Sequence, residues 1–248
     1  MLHIGGTVAA QRGDTATARR RYLESLSIRE RLDDLASMAA MLSNLGILAE
    51  RDGDFEAALD LHERGLELRR ELDDRWAIAV SMTNIGMNAM HRERPADAIE
   101  PFGEAMRLNQ EVGDRWMVAL SHHNLANAAR DLGDEAEANA EYAASLRIYR
   151  DYDDRWALGL LLDDIVTAVA KSGGGEHALE LLGAADRLRE ETESPREARD
   201  EEALQAAATL GAPMLSRQEQ AEARARGRSL VYAAALDLAL KLLIVDNA

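Results

Sequence analysis

The sequence L-D-D-R-W-A at Leu72–Ala77 returns as V-G-D-R-W-M at Val112–Met117 and as Y-D-D-R-W-A at Tyr152–Ala157. A weaker copy, L-D-D-L-A-S, begins at Leu32, so that each copy starts 40 residues after the one before it. A second marker follows at the same distance from each copy, at Asn44, Asn84, Asn124 and Asp164. Because independent markers share one period, the chain is predicted to be a tandem repeat.

Each copy predicts two helices. Asp74 stands where an N-cap carboxylate accepts the free N–H groups of the first helix, Gly53 suits the left-handed residue that ends such a helix, and Asp54 caps the second. The same roles are predicted for Asp114, Asp154, Gly133 and Asp134. In the third copy Pro95 suits the first helical position, whereas Pro101 lies inside the helix and predicts a kink.

The apolar residues have helical spacing, and one helical pair cannot bury them alone. We therefore predict an all-α solenoid of antiparallel helix pairs over residues 1–192 and a C-terminal helical cap over 193–248. The repeat units are predicted near 1–32, 33–72, 73–112, 113–152 and 153–192, the first of them truncated. The last helix, near 230–245, carries an Asp237–Lys241 pair and is predicted to cap the solenoid, with a homodimer interface as the alternative.

The net charge of the chain argues against two classes of binding partner. The 29 basic and 45 acidic residues give a formal charge of −16, which repels nucleic acid and anionic membranes. There is no cysteine, no signal-like start, and no apolar segment long enough to span a bilayer. We therefore predict a soluble cytoplasmic protein with no direct nucleic-acid or membrane contact.

The repeat resembles the tetratricopeptide repeat in its extended 40-residue form, as in kinesin light chains, which implies a right-handed superhelical solenoid. The phrase around Arg75-Trp76 also resembles the C-terminal repeats of bacterial LuxR-like and antibiotic-regulator-like ATPase transcription factors. Ala178–Glu190 and Ala225–Leu230 resemble the last repeat and the closing segment of those regulators, whereas 194–199 departs from their Pro-rich loop.

The family resemblance implies a ligand site on the concave face, which the first helices of the pairs line. The expected contacts are Asn44, Asn84, Asn124, Asp164, Thr83, His123, Asn127 and Arg130. In the kinesin-light-chain type, such an asparagine ladder holds the backbone of an extended peptide, and an amide suits this role because it both donates and accepts. The alternative is that these amides bond neighbouring helices and specify stacking. With only Arg51 and Arg130 nearby, recognition of a C-terminal carboxylate is not expected.

The tryptophans, the histidine pair and the paired carboxylates are interpreted as structural residues and not as parts of a binding or catalytic site. Trp76, Trp116 and Trp156 are predicted to pack in the core against the preceding repeat. His122 and His123 diverge on a helix, so they do not predict a metal site. The paired carboxylates are attributed to caps and solvated faces. There is no phosphate-binding loop and no nucleophile–base set, so neither enzyme activity nor a cofactor is predicted.

The function predicted from the sequence is a non-catalytic module that binds a protein, a peptide or a small effector, as the sensory end of a bacterial signalling regulator. The alternatives are a fragment of an ATP-dependent transcription regulator and a free-standing scaffold. The first repeat begins halfway through its first helix, since Met1 aligns with Met41, and this favours a fragment.

Overall fold

The structure, a computed structural model, describes residues 2–245; Met1 and residues 246–248, at the outer ends of the two predicted domains, lie outside this part. The described residues form thirteen α-helices and no strand, which confirms the all-α fold. The helices are α1 Leu2–Gln11, α2 Thr15–Arg31, α3 Leu35–Arg51, α4 Phe55–Glu71, α5 Arg75–His91, α6 Pro95–Val112, α7 Arg115–Leu132, α8 Glu135–Asp151, α9 Arg155–Lys171, α10 Gly175–Glu191, α11 Ala198–Leu210, α12 Arg217–Ser229 and α13 Tyr232–Val245.

The chain divides into two compact units, unit 1 (Met1–Ser121) and unit 2 (His122–Ala248). In unit 1 the helices pair as α1 with α2, α3 with α4 and α5 with α6, and each second helix packs on the first helix of the next pair. The helices meet at alanines that are fully buried, among them Ala39, Ala58, Ala79 and Ala98. A ring from each second helix lies directly over a glycine of the first, as His62 does over Gly46 and Phe102 over Gly86.

The turns form as their residues predict. The Asp54 and Asp74 carboxylates accept the backbone N–H of Ala57 and Ala77 at 3.1 and 3.0 Å. Left-handed glycines end helices at Gly13, Gly53, Gly113, Gly133 and Gly173. Asp33, Asp73, Glu93, Asp153 and Glu193 take the same left-handed conformation at the remaining turns. Pro95 begins α6, which continues without a break through Pro101.

In unit 2, α9 pairs with α10 and also packs on α8. Three further helices follow, with α11 on α9, α12 on α10, and α13 on α8, α9 and α10. The final helix begins at Tyr232, close to the predicted start. The ion pair of Asp237 is with Arg150 of α8 at 3.4 Å, where the sequence predicts Lys241 as its partner.

The contact between α10 and α12 is very close because both helices carry glycine there. A Cβ added to Gly183 would lie 2.0 Å from the Arg224 carbonyl oxygen, and one added to Gly227 would lie 1.8 Å from the Glu180 carbonyl oxygen. Glycine at both positions therefore lets the backbones of α10 and α12 approach each other directly.

No helix within residues 2–245 combines the length and the apolar character needed to cross a membrane.

Candidate functional site

The recurring D-R-W sequence joins one repeat to the next. In unit 1 the Arg75 guanidinium lies 2.6 Å from Glu111, and the Trp76 indole N–H donates to the N-cap carboxylate of Asp114 at 3.3 Å. In unit 2, Arg155 likewise lies 3.2 Å from Glu191. The motif that reveals the repeat in the sequence thus acts at the turn where the next copy begins.

The predicted burial of the tryptophans is wrong for two of the three. Trp76 and Trp156 are each 51% exposed, and Trp116 is partly buried. Each tryptophan is the second residue of its helix, in the first turn. Trp76 remains half exposed there and donates its indole N–H to the N-cap aspartate of the next repeat.

In unit 1 the predicted ligand residues lie on α3 and α5. We call Asn44, Ile47, Thr83, Asn84 and Met87 the amide face; all five are partly or substantially exposed, Ile47 to 37%. Asn44 and Asn84 occupy equivalent positions of two neighbouring first helices. Within residues 2–245 the Asn84 side-chain amide makes no hydrogen bond to the protein, whereas the Thr83 hydroxyl donates to the Ala79 carbonyl at 3.0 Å. A donor and an acceptor are thus available at Asn84 for a ligand.

Asn88, which does not belong to the repeating asparagine pattern, joins neighbouring repeats in unit 1. Its side chain is 0% exposed, and its Nδ2 donates to the Phe55 carbonyl at 3.0 Å and to the Glu50 carboxylate at 3.3 Å. Asn88 lies one helical turn beyond Asn84 and faces the preceding pair. Asn88 therefore joins α5 to the preceding helix pair by side-chain hydrogen bonds.

In unit 2 the structure brings four predicted residues together. The Asp164 carboxylate of α9 lies 2.7 Å from His123 Nε2 and 3.0 Å from Arg130 Nη1, and Asn127 Nδ2 donates to it at 3.3 Å. Tyr142 completes the group, because its hydroxyl donates to Asn127 Oδ1 at 2.6 Å and accepts from Arg130 at 2.9 Å. These side chains therefore bond to one another across α7, α8 and α9.

The negative charge of Asp164 lies beside the positive charge of Arg130. Burial alone would raise the pKa of Asp164, but the hydrogen bond and charge of His123, together with the charge of Arg130, outweigh it and lower this pKa to about 2. Burial and the nearby Asp164 charge raise the pKa of the Tyr142 hydroxyl. At neutral pH the cluster therefore contains a carboxylate and an uncharged phenol.

The remaining predicted residue of unit 2, Asn124, is only 8% exposed, and its amide makes no hydrogen bond to the part of the protein that the structure describes. Its neighbour His122 turns the other way and lies 2.5 Å from Glu141 of α8, so the two histidines diverge as predicted. Adjacent to Asp164, the Asp163 carboxylate is bound by Arg189 and Arg196. The Asp163-Asp164 pair is thus explained by arginine partners and not by a helix cap.

Arg196 is a residue whose role the sequence did not reveal. It lies in the segment that departs from the regulator pattern, yet its side chain is almost fully buried and contacts Asp163, Asp186 and Glu201 at 2.5, 2.7 and 2.7 Å. It connects α9 and α10 to α11. Only the fold brings these acids, which are distant in sequence, around one guanidinium.

Among the described residues, no group of three or more His, Cys, Asp or Glu side chains is arranged to hold a metal ion. A solvent-open depression of about 330 Å³ lies beside the unit 2 cluster and is lined by Arg130, Ala138, Ala168 and Lys171, among others. Arg130 thus borders both this depression and the cluster.

Stacked helix pairs with a fixed repeat, joined at recurring turns, define a helical-repeat protein. The tetratricopeptide repeat model matches residues 3–71 and 77–151, which is more than half of the chain. The chain therefore belongs to the tetratricopeptide repeat family. No curated protein sequence matches it significantly.

Many solved structures share the fold, among them the following two. One is a Rap protein complexed with competence and sporulation factor, at 13% identity and a TM-score of 0.72; the match covers 90% of this chain and 61% of that chain. The other is BtubC (BKLC) from P. vanneervenii, at 18% identity and a TM-score of 0.66, covering 94% of this chain and 92% of that chain. This chain thus spans about three fifths of the Rap protein's length, and at these identities the likeness concerns the fold.

Proposed function

We propose that this chain is a non-catalytic binding module that holds an extended segment of a protein or peptide against its first helices. The observation that carries the proposal is the Asn84 amide, which lies on the partly exposed amide face and has no hydrogen-bond partner within residues 2–245. An amide in this state can accept from a ligand N–H and donate to a ligand C=O.

The neighbours of Asn84 indicate the chemistry of the partner. Ile47 and Met87 add apolar surface beside the two asparagines, and a flexible thioether adapts to different side chains. A chain with a formal charge of −16 also disfavours acidic partners. We therefore propose an extended segment with uncharged, mainly apolar side chains as the ligand of the amide face.

The Rap structure supports the proposal by analogy, because a protein of this fold has been solved in complex with a competence and sporulation factor. A small effector is the alternative ligand. It is less favoured here because the amide face is an open surface on two helices and not an enclosed cavity.

The experiment begins with a displayed library of random 12-residue peptides, selected on the immobilised chain. The best peptide is then titrated calorimetrically into the wild type and into Asn84→Ala. Removal of one amide contact should weaken binding about threefold to tenfold. The matched control is Gln110→Ala, which removes an exposed amide from the second helix α6 and should leave the affinity unchanged.

A second control separates binding from stacking. Asn88→Ala should lower the melting temperature because it deletes two partly buried hydrogen bonds, whereas Asn84→Ala should leave it nearly unchanged. If the selected peptides bind Asn84→Ala as tightly as the wild type, or if Asn84→Ala melts as early as Asn88→Ala, the amide face is not the binding site.

We also propose that the module is the sensory part of a bacterial signalling or transcription regulator. This rests on the resemblance of Ala178–Glu190 and Ala225–Leu230 to such regulators. The DNA that flanks the coding sequence provides the test: an in-frame or adjacent phosphate-binding loop and DNA-binding domain would support the regulator. Their absence would favour a free-standing scaffold.

A further inference from the structure

Asp164 bears on which ligands unit 2 can bind. This inference rests on the proposed function, because it assumes that the chain is a binding module. We call His123, Asn127 and Arg130 the α7 receptor. These residues are spaced i, i+4 and i+7, so their side chains leave α7 on one face. All three direct donors at one carboxylate, that of Asp164.

The α7 receptor has the chemistry of a carboxylate-binding site. Because the pKa of Asp164 is lowered to about 2, its oxygens only accept hydrogen bonds at neutral pH, and His123 Nε2 must be the donor. The receptor therefore presents an imidazole N–H, an amide N–H and a guanidinium. This donor set also has the chemistry to bind the carboxylate of a ligand.

The receptor is also held in place without Asp164. The Tyr142 hydroxyl contacts both Asn127 and Arg130, and Asp131 holds the Arg130 guanidinium at 3.0 Å. Two of the three donors thus have partners on α7 and α8 that remain when the α9 carboxylate is removed.

The other repeats show that the carboxylate and the receptor occur together. Asn44, Asn84 and Asn124 occupy the position of Asp164 in the earlier copies. The positions of the α7 receptor are Ser43, Ile47 and Glu50 in α3 and Thr83, Met87 and Met90 in α5, and neither set contains a cation. An aspartate, Asp164, replaces the asparagine only in the copy that directly follows α7, the helix that carries the three donors.

We propose that Asp164 is a specificity-determining residue that fills a carboxylate receptor with the protein's own carboxylate. The Asp164 carboxylate occupies the donors that an acidic ligand would need, so unit 2 does not bind acidic ligands here. The Asp164 side chain is still 32% exposed, and three of its roughly four acceptor sites are occupied. The remaining acceptor site can therefore bind an N–H donor of a ligand. Removal of the Asp164 carboxylate opens a site for a small carboxylate.

Formate is the probe, because it matches the group that Asp164→Ala removes. Melting temperatures of the wild type and of Asp164→Ala are compared at pH 7 in rising sodium formate against sodium chloride of equal ionic strength. We expect Asp164→Ala to melt earlier than the wild type and to regain about 2–4 °C at 100 mM formate with a saturating dependence, while the wild type does not respond.

Two variants show whether the effect arises at the receptor. Asp164→Asn fills the site with a neutral amide, and Asp164→Ala combined with Arg130→Met removes the cation; neither should respond to formate. If Asp164→Ala does not fold, Asp164→Ser leaves part of the space open and should show the same saturating response.

A folded Asp164→Ala or Asp164→Ser that formate does not stabilise beyond chloride would overturn the proposal, and so would an equal response of all variants and the wild type. No peptide is used in this test. Its failure would therefore leave the amide face of unit 1 and its own experiment unaffected.

Discussion

His62 should be less stabilising than phenylalanine at the same position. Its ring is buried to 1% exposure, and neither ring nitrogen has a hydrogen-bond partner among the described residues. The nearest carboxylate oxygen, Glu50 Oε1, lies 3.5 Å from Nε2. In the next repeat Phe102 occupies the same position over Gly86, as His62 does over Gly46. The equivalent site of the next repeat therefore already accommodates a phenyl ring.

The magnitude of the effect follows from the two ring nitrogens, which are buried without a hydrogen bond. A buried polar group without a partner costs about 1–3 kcal/mol. Part of the gain is offset by Glu50. Burial alone would raise the pKa of Glu50, but the nearby His62, together with Asn88 and His91, lowers this pKa by more, so Glu50 loses a favourable electrostatic contact in the variant. We expect His62→Phe to stabilise unit 1 by about 1–3 kcal/mol, which corresponds to a rise of about 3–8 °C in its melting temperature.

The assay is thermal and urea unfolding at pH 8, followed by circular dichroism. The matched control is His177→Phe, which changes a half-exposed histidine of α10 and should leave stability nearly unchanged. An unchanged or lower melting temperature for His62→Phe would refute the reasoning. It would mean that the Glu50 contact outweighs both orphan nitrogens and that His62 is retained for stability.

Two further predictions concern glycine. Gly227→Ala should destabilise unit 2 by about 1–3 kcal/mol or more, because the new methyl group would lie 1.8 Å from a backbone oxygen of α10. Its control, Gly103→Ala, meets no atom within 4 Å in α6 and should stabilise the protein slightly, so equal urea midpoints for the two variants would contradict the close crossing. Glu93→Gly should raise the urea midpoint by an amount equivalent to about 0.5–1 kcal/mol, because Glu93 has a left-handed φ of 57°. The equivalent residue of the preceding copy is Gly53, which takes this conformation without strain. A lower midpoint would show that a contact of Glu93 stabilises the protein by more than its backbone strain costs.

The helices and their turns were predictable because short-range chemistry decides them. An Asp that caps a helix and a glycine with a left-handed φ act within three or four residues of themselves, so Asp54, Gly53 and their copies located the turns correctly. The 40-residue period then indicated which segments pair, since each copy must bury the same apolar face on its neighbour.

The contents of the candidate site were predictable only in part. His123, Asn127, Arg130 and Asp164 were predicted as ligand residues. Their mutual bonds link positions 34 to 41 residues apart, and such long-range contacts cannot be derived from the repeat pattern. The exposure of Trp76 was missed because an aromatic side chain suggests burial until its place in the first turn is known. Asn88 was missed because no other copy has asparagine there.

The clasp formed by Arg75 and Trp76 also bears on how such a chain can change its length. Each clasp reaches only the end of its own pair and the first cap that follows, at Glu111 and Asp114. A duplication of residues 73–112 would place the same arginine, tryptophan and glutamate, followed by an N-cap aspartate, at the new junction. The contacts of this clasp would therefore be kept if the chain gained that pair of helices by a single genetic event.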